Sequence, residues 1–252
     1  MNSQIATILS FTLPCLLTTM GAALIFFFKK PSKLLTLITI GLSGGIMLSA
    51  SIWSLLLPAF ENAEKDWGKL SPIPVSLGFV FGGLLMIFLD FLCKKLFKNN
   101  EKMQKPFKFF TAMTIHNVPE GLAVGVAIGT AIATNSSIFA AFMFALGIAI
   151  QNFPEGLATA IPLHKFLKNE KQSFFFAFLS GVVEPIFAII GYFLAKSTTL
   201  LLPWLLSLSA GSMIYVVVEE LMPELKENEL SFIGPIMFLF GFLIMMLLDV
   251  CL

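Results

Sequence analysis

The polar residues of this chain separate eight long apolar segments. Each segment has 21 to 24 residues, and about 20 largely apolar residues are enough for a helix to cross a bilayer. The segments are 5–28, 34–57, 73–93, 109–130, 138–161, 173–195, 199–222 and 231–252. The pattern therefore predicts an all-α integral membrane protein with eight transmembrane helices, forming a single transmembrane domain over residues 1–252.

The amino-acid composition supports this prediction and reduces the number of possible classes of function. Apolar residues make up 57% of the chain and charged residues 12%, with a mean hydropathy of +0.91. The connectors between the segments are too short for a separate soluble domain, and the net charge of +1 gives no indication of a nucleic-acid partner. We expect the function to lie between the helices.

The distribution of lysines predicts the orientation of the chain. The connectors 29–33, 94–108, 162–172 and 223–230 hold 13 of the 16 lysines, and the chain has no arginine. Because basic connectors face the cytoplasm, we expect both termini outside a cell membrane. Acidic residues near the last basic connector, from Glu219 to Glu229, do not change this prediction, since acidic residues contribute little to the rule.

Three glutamates at membrane depth stand out from the apolar background. Glu120 and Glu184 fall near the middle of their predicted helices, and Glu155 lies about 8 Å from the middle of its own. No lysine or arginine is placed at that depth. These carboxylates must therefore be protonated, hydrated or bound to a cation.

Two of the glutamates belong to a repeated hexapeptide. It reads HNVPEG at 116–121 and QNFPEG at 151–156. Helix periodicity places the polar side chains of each copy on one face. These side chains are His116, Asn117 and Glu120 in the first copy and Gln151, Asn152 and Glu155 in the second.

A proline follows or precedes each glutamate directly. Pro119, Pro154 and Pro185 each lack an amide hydrogen and so free the carbonyl four residues earlier. One imidazole, three carboxylates and several amide oxygens suit divalent ions such as Zn²⁺, Mn²⁺, Fe²⁺ or Cd²⁺, and the set contains no cysteine. Two such ions would bring a charge of +4 to three carboxylates with a total charge of −3, so a two-metal site is electrostatically feasible.

Structural interpretations stand beside the functional ones. A single Pro-Glu-Gly can mark only a kink, and His116 alone could hydrogen-bond a neighbouring helix; two copies and a third glutamate favour a metal site. His164, beside Lys165, is typical of a solvated interfacial residue. The ridge of Gly121, Gly125 and Gly129 is typical of close helix packing.

Together these motifs resemble those of the ZIP (Zrt-/Irt-like) divalent metal transporters. The resemblance rests on HNVPEG and QNFPEG in consecutive segments, SGVVEP at 180–185, and Met47-Leu48-Ser49-Ala50 leading to Leu57-Pro58. It is strongest to the bacterial GufA-type branch. The resemblance implies uptake of zinc or a related metal toward the cytoplasm, a 3 + 2 + 3 helix arrangement, and a two-metal centre between the fourth, fifth and sixth helices.

The resemblance also implies ligands. His116, Glu120, Gln151 and Glu155 would hold the first metal, with the Met47 sulfur close by; Asn117, Asn152 and Glu184 would hold the second, with Glu120 and Glu155 bridging. By spacing alone Met47 is a core methionine. Many relatives have His at the position of Gln151, and some have Asp at that of Asn152. The neutral residues here are expected to weaken binding and to broaden the metal range.

Two other classes of function fit the sequence less well than metal transport. An intramembrane metal-dependent hydrolase would carry an HExxH signature, and this chain has none. A proton- or sodium-coupled carrier of another solute would need a cationic side chain to hold an organic anion, and the candidate site has none. We predict a transporter with no catalytic residue and no resident cofactor. Its expected partners are divalent metal ions and the lipid bilayer, and a homodimer is one assembly compatible with the sequence. Acidic residues that could attract metal at the outer surface, or serve only as solvated charge, are Glu61, Glu64, Asp66 and Asp249.

Overall fold

The computed structural model of the protein describes residues 3–28, 32–96, 101–195, 199–226 and 232–251. This part of the chain is helical, with no β-strand. Ten α-helices follow one another: α1 (Ser3–Ala23), α2 (Lys33–Ala50), α3 (Leu57–Trp67), α4 (Pro72–Leu96), α5 (Glu101–Ala133), α6 (Ile138–Leu167), α7 (Glu170–Leu194), α8 (Leu202–Val216), α9 (Met222–Lys226) and α10 (Ile233–Cys251). Short helical turns extend α1, α2 and α8 and precede α4 and α8.

Eight helical spans in the described residues are long and apolar enough to cross a membrane. This number confirms the sequence prediction, and each span overlaps its predicted segment. Several are longer than predicted, because the helices continue past the apolar residues. The span containing α2 runs from Lys33 to Leu70, and α6 extends to Leu167, where Lys168 closes it in the left-handed conformation (φ 52°).

The helices pair through glycines that allow backbones to approach. A Cβ on Gly125 of α5 would collide with the Ala188 carbonyl of α7, and one on Gly156 of α6 would collide with the Thr18 carbonyl of α1. Gly45 similarly brings α2 against α10, and Gly211 brings α8 against α4. These four pairs make the most extensive helix contacts in the described structure. The predicted packing role of the α5 glycine ridge is thus observed against α7.

Burial separates central helices from peripheral ones. In the most apolar window of each span, 67% of the residues are buried for Phe109–Ala133, but only 22% for Pro72–Leu96 and 17% for Ile233–Cys251. The large apolar side chains on the outer faces of α4 and α10, such as Phe88 and Leu239, are exposed. Apolar side chains facing outward are expected where the surrounding solvent is lipid. The helix with the HNVPEG motif therefore lies in the interior.

Two features of the backbone bear on the sequence analysis. The helices continue through Pro119, Pro154 and Pro185, so the freed carbonyls lie within uninterrupted helical segments. Wider π-helical turns, not anticipated from the sequence, follow α2 at Ser51–Leu56 and α8 at Val217–Leu221. The 3 + 2 + 3 grouping of helices remains a prediction.

Candidate metal centre

The two hexapeptides meet in the interior between α5 and α6. His116 Nε2 lies 3.3 Å from Glu155 Oε2 and 3.6 Å from Glu120 Oε1. All three side chains are buried, and one ligand atom from each can be chosen so that the three lie within 4.8 Å of one another. Helix periodicity explains the first half of this cluster, since His116 and Glu120 are four residues apart on one face of α5.

The spacing of these atoms fits a small divalent ion. Ligand atoms around a tetrahedral Zn²⁺ with bonds of about 2.0 to 2.1 Å are separated by about 3.3 to 3.4 Å. The two distances from His116 Nε2, 3.3 Å and 3.6 Å, are close to that edge length. An ion could therefore be held by one nitrogen and two carboxylate oxygens with only small side-chain movements.

Gln151 adds a fourth polar group to the cluster. Its Nε2 donates a 2.6 Å hydrogen bond to Glu120 Oε1. Three acceptor atoms of the cluster have no hydrogen-bond partner among the described residues: Glu120 Oε2, Gln151 Oε1 and Glu155 Oε1. Buried acceptors are almost always satisfied in folded proteins, and a bound cation is one means of satisfying them.

Glu184 on α7 belongs to a second, adjoining group of side chains. Asn152 Nδ2 donates a 2.8 Å hydrogen bond to Glu184 Oε2, and the Thr18 hydroxyl of α1 donates a 3.3 Å bond to Glu184 Oε1. Asn117 Nδ2 donates to the Ser180 carbonyl at 2.9 Å, one turn before Glu184 on α7. The amide oxygens of Asn117 and Asn152 have no partner in the described part of the chain.

The structure therefore brings the polar residues singled out from the sequence into two adjoining groups. His116, Glu120, Gln151 and Glu155 contact one another directly, and Asn152 contacts Glu184. The Asn117 side chain bonds to the backbone carbonyl of Ser180 on α7 rather than to the Glu184 side chain. Met47 is buried in the apolar core that also contains Ala123, one turn after Glu120.

The remaining acidic residues and the second histidine singled out from the sequence have other partners or are exposed. His164 is half-buried at the junction of α6 and α7. Its Nε2 lies 3.7 Å from Glu170 Oε1, so the ring has a protein partner in addition to solvent. Asp249 accepts a 2.7 Å hydrogen bond from Ser54. Exposed residues between α2 and α4 include Glu61, Glu64 and Asp66. Glu227 and Glu229 lie outside the described residues.

The first helix is the part of the centre that sequence reasoning missed. Thr18 is fully buried and contacts Glu184, although the two residues are 166 positions apart. Ser10, two turns earlier, lines a crevice beside Glu120 and Glu184. The available signal was the spacing of Ser10, Pro14 and Thr18, because residues four apart share one helix face.

Comparison with known proteins assigns the chain to a family. The ZIP zinc transporter family matches residues 107–249, which include both hexapeptides and Glu184. The chain is 30% identical to the zinc transporter ZIP11 of Xenopus tropicalis, with 93% of each chain covered. It is 32% identical to the zinc transporter GufA of Myxococcus xanthus, covering 84% of this chain and 85% of the relative. It is also 32% identical to the zinc transporter ZupT of Streptococcus mutans, covering 83% of each.

The fold and the buried centre thus define a multi-pass membrane transporter. The chain belongs to the ZIP zinc transporter family. This membership confirms the family resemblance and the prediction of a transporter rather than an enzyme.

Proposed function

We propose that the protein carries divalent transition-metal ions, with Zn²⁺ as the main substrate, across a cell membrane toward the cytoplasm. The observation that carries this proposal is the buried cluster of His116, Glu120 and Glu155, whose ligand atoms lie within 4.8 Å of one another. The names of the relatives support zinc as the ion. Fe²⁺, Mn²⁺ and Cd²⁺ are further expected substrates, since carboxylate and imidazole ligands accept all three.

The first ion would be held by His116, Glu120, Gln151 and Glu155. Gln151 donates its amide hydrogen to Glu120, so binding requires the amide to rotate and present Oε1 to the ion. That oxygen has no other partner in the residues described. The Met47 sulfur would add a further ligand as the ion passes; Met47 lies in the same buried cluster as Ala123, one turn after Glu120.

The second ion would lie between Asn117, Asn152 and Glu184, with Glu120 and Glu155 bridging. Support comes from the unpartnered amide oxygens of the two asparagines and from the direct contact of Asn152 with Glu184. Two ions would bring +4 to the three carboxylates, so their charge stabilises an otherwise unfavourable group of buried acids.

Movement of the ion requires one group of helices to shift against the rest. The glutamates lie on α5, α6 and α7, which pack together and against α1 through glycine contacts. We propose that this group carries the ion from the outside and releases it inward. The basic connectors predict that both termini lie outside, and with that orientation the direction is uptake.

Uptake by purified protein in liposomes tests the proposal. Saturable uptake of Zn²⁺, Mn²⁺, Fe²⁺ and Cd²⁺ is measured for the wild type, for Glu120→Ala and for Glu155→Ala. We expect both variants to lose transport, because each removes a carboxylate from the cluster. The His164→Ala variant is the control, since His164 pairs with Glu170 at a helix junction away from the centre. Wild-type uptake by Glu120→Ala would refute the site assignment, and tight binding without flux would refute transport.

A further inference from the structure

Ser10 of α1 has a buried hydroxyl without a partner. Its side chain is fully buried, and the hydroxyl makes no hydrogen bond within the described structure. The threonines of this helix behave differently. Thr7, Thr12 and Thr19 each donate to the carbonyl four residues earlier, and the Thr18 hydroxyl has two acceptors within reach, the Pro14 carbonyl at 3.1 Å and Glu184 Oε1 at 3.3 Å. An unsatisfied buried hydroxyl is destabilising, and alanine would pack at this position without that cost.

The Ser10 backbone supplies a second oxygen. Pro14 follows four residues later in the same helix and has no amide hydrogen with which to bond the Ser10 carbonyl. Helix carbonyls point toward the C-terminal end, which in α1 is the direction of Thr18 and Glu184. Ser10 therefore has two oxygen atoms available close to the carboxylate centre.

Ser10 lines one crevice with Glu120 and Glu184. The walls also include Val124, Ile148 and Ala188, which lie about one turn from the centre on α5, α6 and α7. Val124 and Ala188 follow the glutamates of their helices, whereas Ile148 precedes Gln151 on a helix running the opposite way. All of these residues are thus displaced to the same side of the centre, the side of the chain's N terminus. In the orientation proposed from the lysines, this side is the outer one.

An apolar layer covers the crevice on that side. Val124, Ala145 and Ile148 form a buried cluster, and Phe11 of α1 packs against it. Phe11 also contacts the ring of Tyr192, with ring centroids 5.9 Å apart. Ser10 precedes Phe11 on a helix that runs inward from the N terminus, so it lies at the level of this apolar layer, and an ion arriving from outside would meet its oxygens before those of Glu120.

We propose that Ser10 and Glu120 form an oxygen-only outer subsite that receives a largely dehydrated divalent cation before it reaches His116, since the crevice between them has no room for a water molecule. Its donors are the Ser10 hydroxyl and carbonyl oxygens and the Glu120 Oε2, which has no partner in the described residues. Oxygen donors favour harder ions such as Mn²⁺, whereas the imidazole of the inner cluster favours Zn²⁺. The inference rests on the proposed function and adds the first helix to its ion path.

The Ser10→Ala variant tests the subsite in liposomes. We expect the KM for Mn²⁺ uptake to rise about fivefold, the KM for Zn²⁺ to rise less, and kcat to stay unchanged, since one neutral ligand is lost from the capture step. Equilibrium Zn²⁺ binding to the purified variant should stay within about twofold of the wild type, because the inner cluster is intact. The matched control is Ser209→Ala, which removes another fully buried hydroxyl without a partner among the described residues, on α8.

Three results would overturn the subsite: an unchanged KM for Mn²⁺, a fall in kcat at constant KM, or an equal change in Ser209→Ala. Failure of the proposed function gives a different pattern. In that case the wild type shows no saturable uptake, or Glu155→Ala retains it, whatever Ser10→Ala does.

Discussion

The contact between Asn152 and Glu184 allows a quantitative prediction about the second metal position. Asn152 Nδ2 donates to Glu184 Oε2 across 2.8 Å, and both side chains are buried. The Asn152→Asp substitution exchanges this donating amide for a carboxylate of nearly the same shape. Two buried carboxylates then face each other at the distance where an amide hydrogen lay between them.

The repulsion can be worked from that distance. Two like unit charges 2.8 Å apart repel by about 6 kcal/mol at an effective dielectric constant of about 20. Side-chain rotation or a shared proton reduces the repulsion, so this value is an upper bound on the lost stability. A divalent cation between the two groups turns the repulsion into attraction for both. We therefore expect the variant to be less stable without metal and to bind metal more tightly.

Thermal unfolding and metal titration of the purified protein in detergent measure both effects. In chelator, the apparent unfolding temperature of Asn152→Asp should fall by about 2 to 4 °C for each kcal/mol of stability that is lost. Its affinity for Zn²⁺ should rise at least about tenfold, which corresponds to about 1.4 kcal/mol.

A reversed pair provides the control. The double variant Asn152→Asp/Glu184→Gln again places one amide opposite one carboxylate, so its stability in chelator should return toward the wild type and its affinity should not exceed it. An unfolding temperature in chelator that Asn152→Asp leaves unchanged would contradict the contact. Unchanged or weaker Zn²⁺ binding would exclude Asn152 as a ligand.

Three further predictions follow from the packing and from the centre. Gly125→Ala places a Cβ against the Ala188 carbonyl and should lower the unfolding temperature by several degrees. The control is Gly83→Ala, which has open space around the added Cβ and should leave the unfolding temperature unchanged or raise it. Equal effects of the two substitutions would contradict the α5–α7 packing. Gln151→His adds an imidazole beside Glu120 and should raise the affinity for Zn²⁺ more than the affinity for Mn²⁺ in competition titrations. A preference that moves toward Mn²⁺ would argue against a ligand at this position. Zn²⁺ affinity should fall as the pH is lowered, because protons compete with metal for the same carboxylates and imidazole. Binding that calorimetry finds to be independent of pH would contradict these ligands.

Local sequence was enough to determine the spans and the metal-binding motifs. The length of an apolar segment specifies a membrane-crossing helix whatever its neighbours are. Similarly, the shared face of His116 and Glu120 follows from helix periodicity, and both residues lie on one helix in the structure. The two π-helical turns at Ser51–Leu56 and Val217–Leu221 escaped prediction, because an apolar segment has the same composition in either helical form.

Only the tertiary structure decided which helices meet around the centre. The placement of Thr18 against Glu184 depends on α1 packing closely on α6, where Gly156 leaves room for the Thr18 backbone. No local pattern relates residues 166 positions apart, and α1 carries no acidic residue and no histidine that would single it out as part of a metal site. Helix order in space is set by complementary packing surfaces along whole helices. For this reason the sequence could identify the ligands on α5, α6 and α7, whereas the hydroxyl groups of α1 became part of the site only in the folded protein.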